Sequence, residues 1–207
     1  MRARLQLRRR ALLPALLLVV GESALAASAP AVVSECAECH GDHGVSTHKD
    51  VPSIAGMSDF YLEGQMQAYQ KAQRPCPKSA ASKTPTDMCE VSKKLDQAQL
   101  KQIGAYYTVQ PWVATPQQGL DAARVATGKS IHDGACESCH TKGGSVADDD
   151  AGILAGQWLP YLQMTLQDYK AGKRVMPDKM KQKLAKLSAD ELDAVAQFYA
   201  SEGPSSK

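Results

Sequence analysis

The chain has 207 residues, 24 basic against 22 acidic, for a formal charge of +2, and only 5% of its side chains are aromatic. A balance this near neutrality argues against a nucleic-acid partner. With so few large rings, a core would be lean unless another apolar group completes it.

The first 26 residues read as a signal peptide. Arg2, Arg4, Arg8, Arg9 and Arg10 form a basic start, Ala11 to Val20 an apolar run, and Ala24-Leu25-Ala26 a cleavage site of small residues. The run is too short to stay in a bilayer. Removing this leader takes away five arginines and Glu22, leaving 19 basic and 21 acidic residues. The expected product is an exported, periplasmic protein that is not an integral membrane protein.

Beyond the leader the chain repeats itself. At an offset of 100 residues, Cys36, Cys39 and His40 fall on Cys136, Cys139 and His140; Tyr61-Leu62 falls on Tyr161-Leu162, and Arg74 on Arg174. Farther along the offset becomes 92, pairing Met88 with Met180, Leu100 with Leu192 and Tyr107 with Tyr199. The first half therefore holds eight extra residues between Arg74 and Met88.

In chain order, Tyr61 to Ala72 carries Leu, Met and Tyr at helical spacing. Asp96 with Gln99 has the capping-box spacing, and behind it Leu100, Ile103, Gly104 and Tyr107 form one stripe. Val109 to Gly119, with two prolines, reads as a linker. In the second half Tyr161 to Ala171 repeats the first helix. Ser188 with Glu191 repeats the box, and Leu192, Val195, Ala196 and Tyr199 repeat the stripe. Gly104 and Ala196 would let another helix cross closely. No stretch alternates as a strand. The predicted fold is all-α: two tandem units over 27–110 and 120–207, joined by 111–119.

Cys36-Ala-Glu-Cys39-His40 and Cys136-Glu-Ser-Cys139-His140 are CxxCH motifs, which serve covalent haem attachment. Two thiols become thioethers and the adjoining His ligates iron. Zinc would require further ligands at finger-like spacing, which are absent. Two haem c groups are thus expected, each wrapped by a class I cytochrome c-like unit. For the opposite axial ligands only Met88 and Met180 hold matching places, with Met176 a rival in the second unit. Met57, Met66 and Met164 read as packing, and His43, His48 and His132 as residues that do not bind iron. Cys76 and Cys89 flank the extra loop. An oxidising compartment favours their pairing as a disulfide, with a redox-active dithiol as the alternative.

The residues resemble a particular family, the dihaem cytochrome subunit of flavocytochrome c sulfide dehydrogenase. The likeness is carried by Ile153-Leu154-Ala155-Gly156-Gln157-Trp158-Leu159-Pro160-Tyr161-Leu162-Gln163, by Gly143-Gly144, and more loosely by Pro52-Ser53-Ile54-Ala55 and Gln110-Pro111. It implies an FAD-containing flavoprotein partner that oxidises sulfide. This chain, no enzyme by itself, would accept single electrons and pass them to a small c-type cytochrome or similar acceptor.

The chain also resembles soluble dihaem carriers, in which a glycine stands eight residues before each first Cys; Gly128 fits and Ser28 does not. A free-standing carrier donating to a terminal oxidase is the competing expectation, and a dihaem peroxidase a third. The family likeness further implies that the Pro52 carbonyl orients the first proximal imidazole. The second half lacks that proline, so a carbonyl near Gly152 is expected to orient His140.

Overall fold

The computed structural model describes residues 29–79, 81, 86–117 and 119–203. The leader expected over 1–26 lies outside these. Among the described residues there is no strand. The first half comprises α1 (Val33–His40), α2 (Asp59–Gln70), α3 (Met88–Lys93) and α4 (Gln97–Thr108). The second comprises α5 (Ala122–Ile131), a π-helical turn (His132–Cys136), the short turn α6 (Thr141–Gly144), α7 (Leu159–Lys170), α8 (Asp178–Ala185) and α9 (Ala189–Ser201). None of these helices is long and apolar enough to cross a membrane.

The caps account for most of the helix starts. Ser58 accepts from the Tyr61 N–H, Asp87 from that of Glu90, and Asp121 from those of Ala123 and Arg124. Both capping boxes form as the spacing predicts, Asp96 with Gln99 and Ser188 with Glu191. α7 has no side-chain cap and starts instead with Pro160 in its first turn.

Behind the boxes, the two predicted stripes are buried along their length. Each fully buried Leu, Ile or Val there contributes about 1.5–3 kcal/mol. Gly104 brings α4 against α2, where a Cβ would sit 3.0 Å from that of Asp59. Gly128 is tighter still: a Cβ would lie 2.0 Å from the Ala194 carbonyl oxygen, so only glycine lets α5 cross α9.

Twin turns hold each half together. Gly44 (φ +82°) and Gly144 (φ +74°) take a conformation that suits glycine, and their carbonyls accept from Ile54 and Ala55 and from Leu154 and Ala155. These turns pack beneath Tyr107 and Tyr199, leaving no space for a side chain.

The two cores are not equivalent. That of the second half gathers Leu162, Val195, Ala196, Phe198, Tyr199 and Ala200, all from its own helices. That of the first gathers Val33, Met57, Leu62, Ile103 and Tyr107, but also Ile153 from the other half. The joint between them is polar and dense. Trp158 Nε1 donates to Ser46 O (3.1 Å), Trp112 Nε1 to Ala155 O (2.9 Å) and Thr115 N to Gly156 O (2.7 Å). Residues 111–117 thus run as a strap across the second half.

Candidate functional site

At the first site, the last turns of α1 carry Cys36, Cys39 and His40. His40 is buried and its Nδ1 donates to the Pro52 carbonyl at 2.8 Å. Burial, reinforced by Arg74, holds the imidazole pKa below its usual value. The ring is therefore neutral, with Nδ1 protonated and Nε2 available to a metal. Burial, with Glu35 adding to it, pushes the Cys36 thiol up to about 11, and burial raises Cys39 as well. A redox dithiol has a depressed attacking thiol. Here the opposite holds.

These three side chains share a cavity of about 630 Å³ with Met88, the first residue of α3. That volume suits a cofactor, for which pockets run about 300–1,000 Å³. Apolar side chains from α2, α3 and α4, among them Leu62, Met66, Val91 and Ile103, form its walls. Cys76 lines the same cavity and is bonded to Cys89, with Cα atoms 5.7 Å apart. The bridge closes the loop that returns the chain to Met88.

A cationic, tyrosine-rich rim joins the two halves. Arg74 lies over the Tyr69 ring (4.1 Å) and Arg174 over Tyr169 (4.5 Å), one repeat apart. Both guanidiniums donate to Gln65 Oε1, and Arg74 Nε is buried with no partner among the described residues. Burial raises the Tyr161 pKa, but Arg174 and Arg74 outweigh it and bring the phenol down to about 8. Positive charge with an unspent donor beside an apolar slot suits an amphiphile with carboxylate tails. Haem c, with its two propionates, fits that description.

At the second site, Cys136, Cys139 and His140 follow the π-helical turn. Burial raises the Cys136 thiol, while Tyr199 and Lys183 pull it back, and burial lowers the His140 pKa. The carbonyl expected near Gly152 does not orient this ring: His140 Nδ1 is buried without a hydrogen-bond partner among the described residues, and Gly152 packs against Tyr61. Met180 is half-buried on α8, which packs against the His132–Cys136 turn. Met176, also half-buried, lies just before α8 and after Val175, whose N–H donates to Gln73 O of the first half (3.0 Å).

Sequence reasoning missed one network here. His132 is buried, shares a hydrogen bond with Tyr199 through Nδ1 (2.9 Å), and donates through Nε2 to Glu137. The Lys142 N–H and then His132 hold the Glu137 carboxyl below its usual range. His43 bonds Tyr106 (3.0 Å), and His48 sits in the Ser46 turn, both in the loop after α1.

Two helical units, each with a CxxCH turn beside a methionine-bearing helix, define a dihaem c-type electron-transfer cytochrome of the class I fold, with two haem c groups. Residues 123–198 match the family described as cytochrome c oxidase, cbb3-type, subunit III. Cytochrome c-552 of Acidithiobacillus ferridurans is 33% identical over 181 residues, spanning 79% of this chain and 75% of that protein. The crystal structure of reduced cytochrome c4 from Pseudomonas stutzeri superposes with a TM-score of 0.67 at 26% identity, covering 82% of this chain and 94% of that one. Thiosulfate dehydrogenase (TsdBA) from Marichromatium purpuratum gives 0.67 at 25% identity, over 81% of this chain but only 36% of that one. The chain belongs to the dihaem cytochrome c4-like family.

Proposed function

We propose that this chain is a periplasmic relay carrying single electrons from a dehydrogenase to a small acceptor protein. One haem is bound at Cys36 and Cys39 with His40 and Met88 as axial ligands. The other is bound at Cys136 and Cys139 with His140 and Met180. The units run over 27–110 and 120–207, with 111–119 between them, once 1–26 is removed. The Cys76–Cys89 disulfide braces the Met88 loop. The observation that carries the reading is the single cavity lined by Cys36, Cys39, His40 and Met88.

Haem c supplies reversible one-electron chemistry at iron. The chain's own residues do the rest. Pro52 fixes the His40 tautomer. The apolar walls keep water out, and Arg74 and Arg174 supply positive charge at the rim between the units. With a histidine and a methionine both holding it, each iron would serve electron transfer rather than substrate binding.

The partner is the finer question. A free-standing carrier is favoured by the cytochromes c4 and c-552, each matched over most of its own length. A subunit serving an FAD-containing sulfide dehydrogenase is favoured by the Ile153–Gln163 run and by a similar unit within a larger sulfur-oxidising enzyme. Purification of the native protein from its own cells distinguishes them. Flavin absorbance and a co-purifying flavoprotein support the subunit; two haem masses on a lone chain support the carrier. A processed chain with no haem mass overturns both.

A further inference from the structure

The two attachment turns differ at two positions that touch each other. Where the first unit has Val32 and Ala37, the second has His132 and Glu137. The difference extends to the backbone. The first turn lies within the regular helix α1, whereas the second passes through a π-helical turn in which the Glu137 N–H donates to the His132 carbonyl (3.0 Å). That wide turn sets the Glu137 carboxylate against the His132 ring, and such turns are frequent at functional sites.

Both nitrogens of the ring and both oxygens of the carboxylate are engaged, and the order of donors is fixed. A carboxylate only accepts. One Glu137 oxygen takes the Lys142 N–H (3.0 Å) and the other takes the His132 Nε2–H. A neutral imidazole has a single N–H, and here it is spent on Glu137, so Nδ1 is left as an acceptor. The Tyr199 hydroxyl, 2.9 Å away, therefore donates its proton to Nδ1. The His132 ring is buried, with Phe198 packed on it at 5.0 Å, which holds it in place.

Tyr199 links this pair to the haem attachment. Its hydroxyl is also within hydrogen-bonding reach of the Cys136 sulfur, and its ring meets the His140 imidazole edge-on at 6.3 Å. In the loaded protein that sulfur is a thioether, which can only accept. With its proton given to His132, the Tyr199 oxygen turns lone pairs toward the sulfur. Tyr107, its twin, meets no histidine. Its hydroxyl is buried without a hydrogen-bond partner among the described residues, beside the Cys36 sulfur, and is free to donate to the thioether there.

Hydrogen bonding around a haem is one lever on its potential. A donor to the thioether draws electron density from the porphyrin edge and favours reduced iron; lone pairs facing it favour oxidised iron. We propose that His132, set by Glu137, is a positioning residue for the second haem: it takes the Tyr199 proton, presents oxygen lone pairs to the Cys136 sulfur and so lowers that haem's reduction potential. His140 Nδ1, without a partner among the described residues, acts in the opposite sense through the ligating nitrogen itself. The network trims that larger effect and does not reverse it. This role rests on the relay reading and gives its second site a setting of its own.

The test is a redox titration of the full, haem-loaded chain at about pH 8, above the ordinary histidine value of about 6.5, with the first haem marked by Met88→Ala. His132→Val, which installs the residue of the first unit, raises the second midpoint and leaves the first where it was. Tyr199→Phe, which removes the oxygen, raises the second midpoint too, and adding His132→Val to it changes nothing further. His132→Gln, able to accept from Tyr199 and donate to Glu137, keeps the wild-type midpoint. A merely structural role would lower the melting temperature of His132→Val and leave both midpoints unmoved; that result, or shifts that add in the double variant, overturns the positioning role alone. Should His132→Val lose its second haem, Tyr199→Phe decides, and a second midpoint equal to or below that of the wild type overturns the role. Absence of haem from the wild type overturns the relay reading and the positioning role together.

Discussion

Gln157 of the second unit exchanges both hydrogen bonds of its amide with the backbone of Ser53 in the first. Its Oε1 accepts from the Ser53 N–H (2.9 Å) and its Nε2 donates to the Ser53 carbonyl (3.0 Å), all fully buried. A side chain thus pairs with the other unit much as a neighbouring strand would. Gln157→Leu strands two buried backbone groups, at a cost of about 2–5 kcal/mol. For a chain of this size that lowers the melting temperature by roughly 5–15 °C. Calorimetry of the haem-loaded variant checks it; an unchanged melting curve would mean the clamp contributes nothing.

Met88→Ala and Met180→Ala are each expected to remove half of the weak sulfur-to-iron charge-transfer band and to lower one of the two reduction potentials, since methionine ligation raises them. Met176→Ala leaves the band intact. If the results for Met180 and Met176 are exchanged, the second ligand is Met176.

The proximal rings differ in their support. His40 donates to Pro52, and His140 Nδ1 has no partner among the described residues. A hydrogen bond at Nδ1 makes the ligating nitrogen more basic, which favours oxidised iron. The first site is therefore expected at the lower potential, so electrons run from it to the second. Redox titration with the sites assigned by the Met88→Ala and Met180→Ala variants tests this; the reverse order refutes it.

The Cys76–Cys89 bridge closes a loop of sequence separation 13. A loop of about 15 residues implies about 3 kcal/mol of stabilisation through the unfolded chain. Cys76→Ser with Cys89→Ser is expected to lose about 2–3 kcal/mol in denaturant melts and to let Met88 leave iron more readily. That second effect is read as a faster loss of the sulfur band on heating.

The twin capping boxes respond differently to acid. At α9 the box uses Glu191, whose pKa the Ser188 backbone N–H and then its hydroxyl hold below the usual 4.5. A depressed carboxylate stabilises the fold above its unfolded pKa, and that contribution is lost as pH falls through the folded value. At α4 the same place holds Gln99, which does not titrate. Hydrogen exchange at the start of α9 is expected to quicken as pH drops below 4.5, after correction for intrinsic rates, while the start of α4 does not respond. Glu191→Gln removes the difference; equal behaviour of the two starts in the wild type contradicts the assignment.

What could be read in advance was whatever the repeat wrote twice. The CxxCH turns, the capping boxes and the stripes ending in Tyr107 and Tyr199 sit at matching positions, and local rules give each the same meaning. The features that escaped reading occur once. Gln157 falls opposite Met57 in the repeat, so no symmetry marks it as a clamp. His132 falls opposite Val32, and its partners Glu137 and Tyr199 meet it only through the crossing of α5 and α9. The unpartnered His140 Nδ1 likewise depends on how the loop before Gly152 packs against Tyr61 of the other unit. Contacts between non-identical copies obey tertiary geometry, which periodicity does not encode.

Ile153 carries a last consequence. It sits in the hydrophobic cluster of the opposite unit, while the cluster around Leu162 and Tyr199 draws on no such loan. For the hydrophobic clusters, borrowing between the copies therefore runs one way. Split at the strap, the C-terminal piece retains its own apolar cluster, whereas the N-terminal piece loses Ile153 from its own. A gene that looks like a doubled sentence is thus not two interchangeable clauses, because its opening one borrows a word from the second.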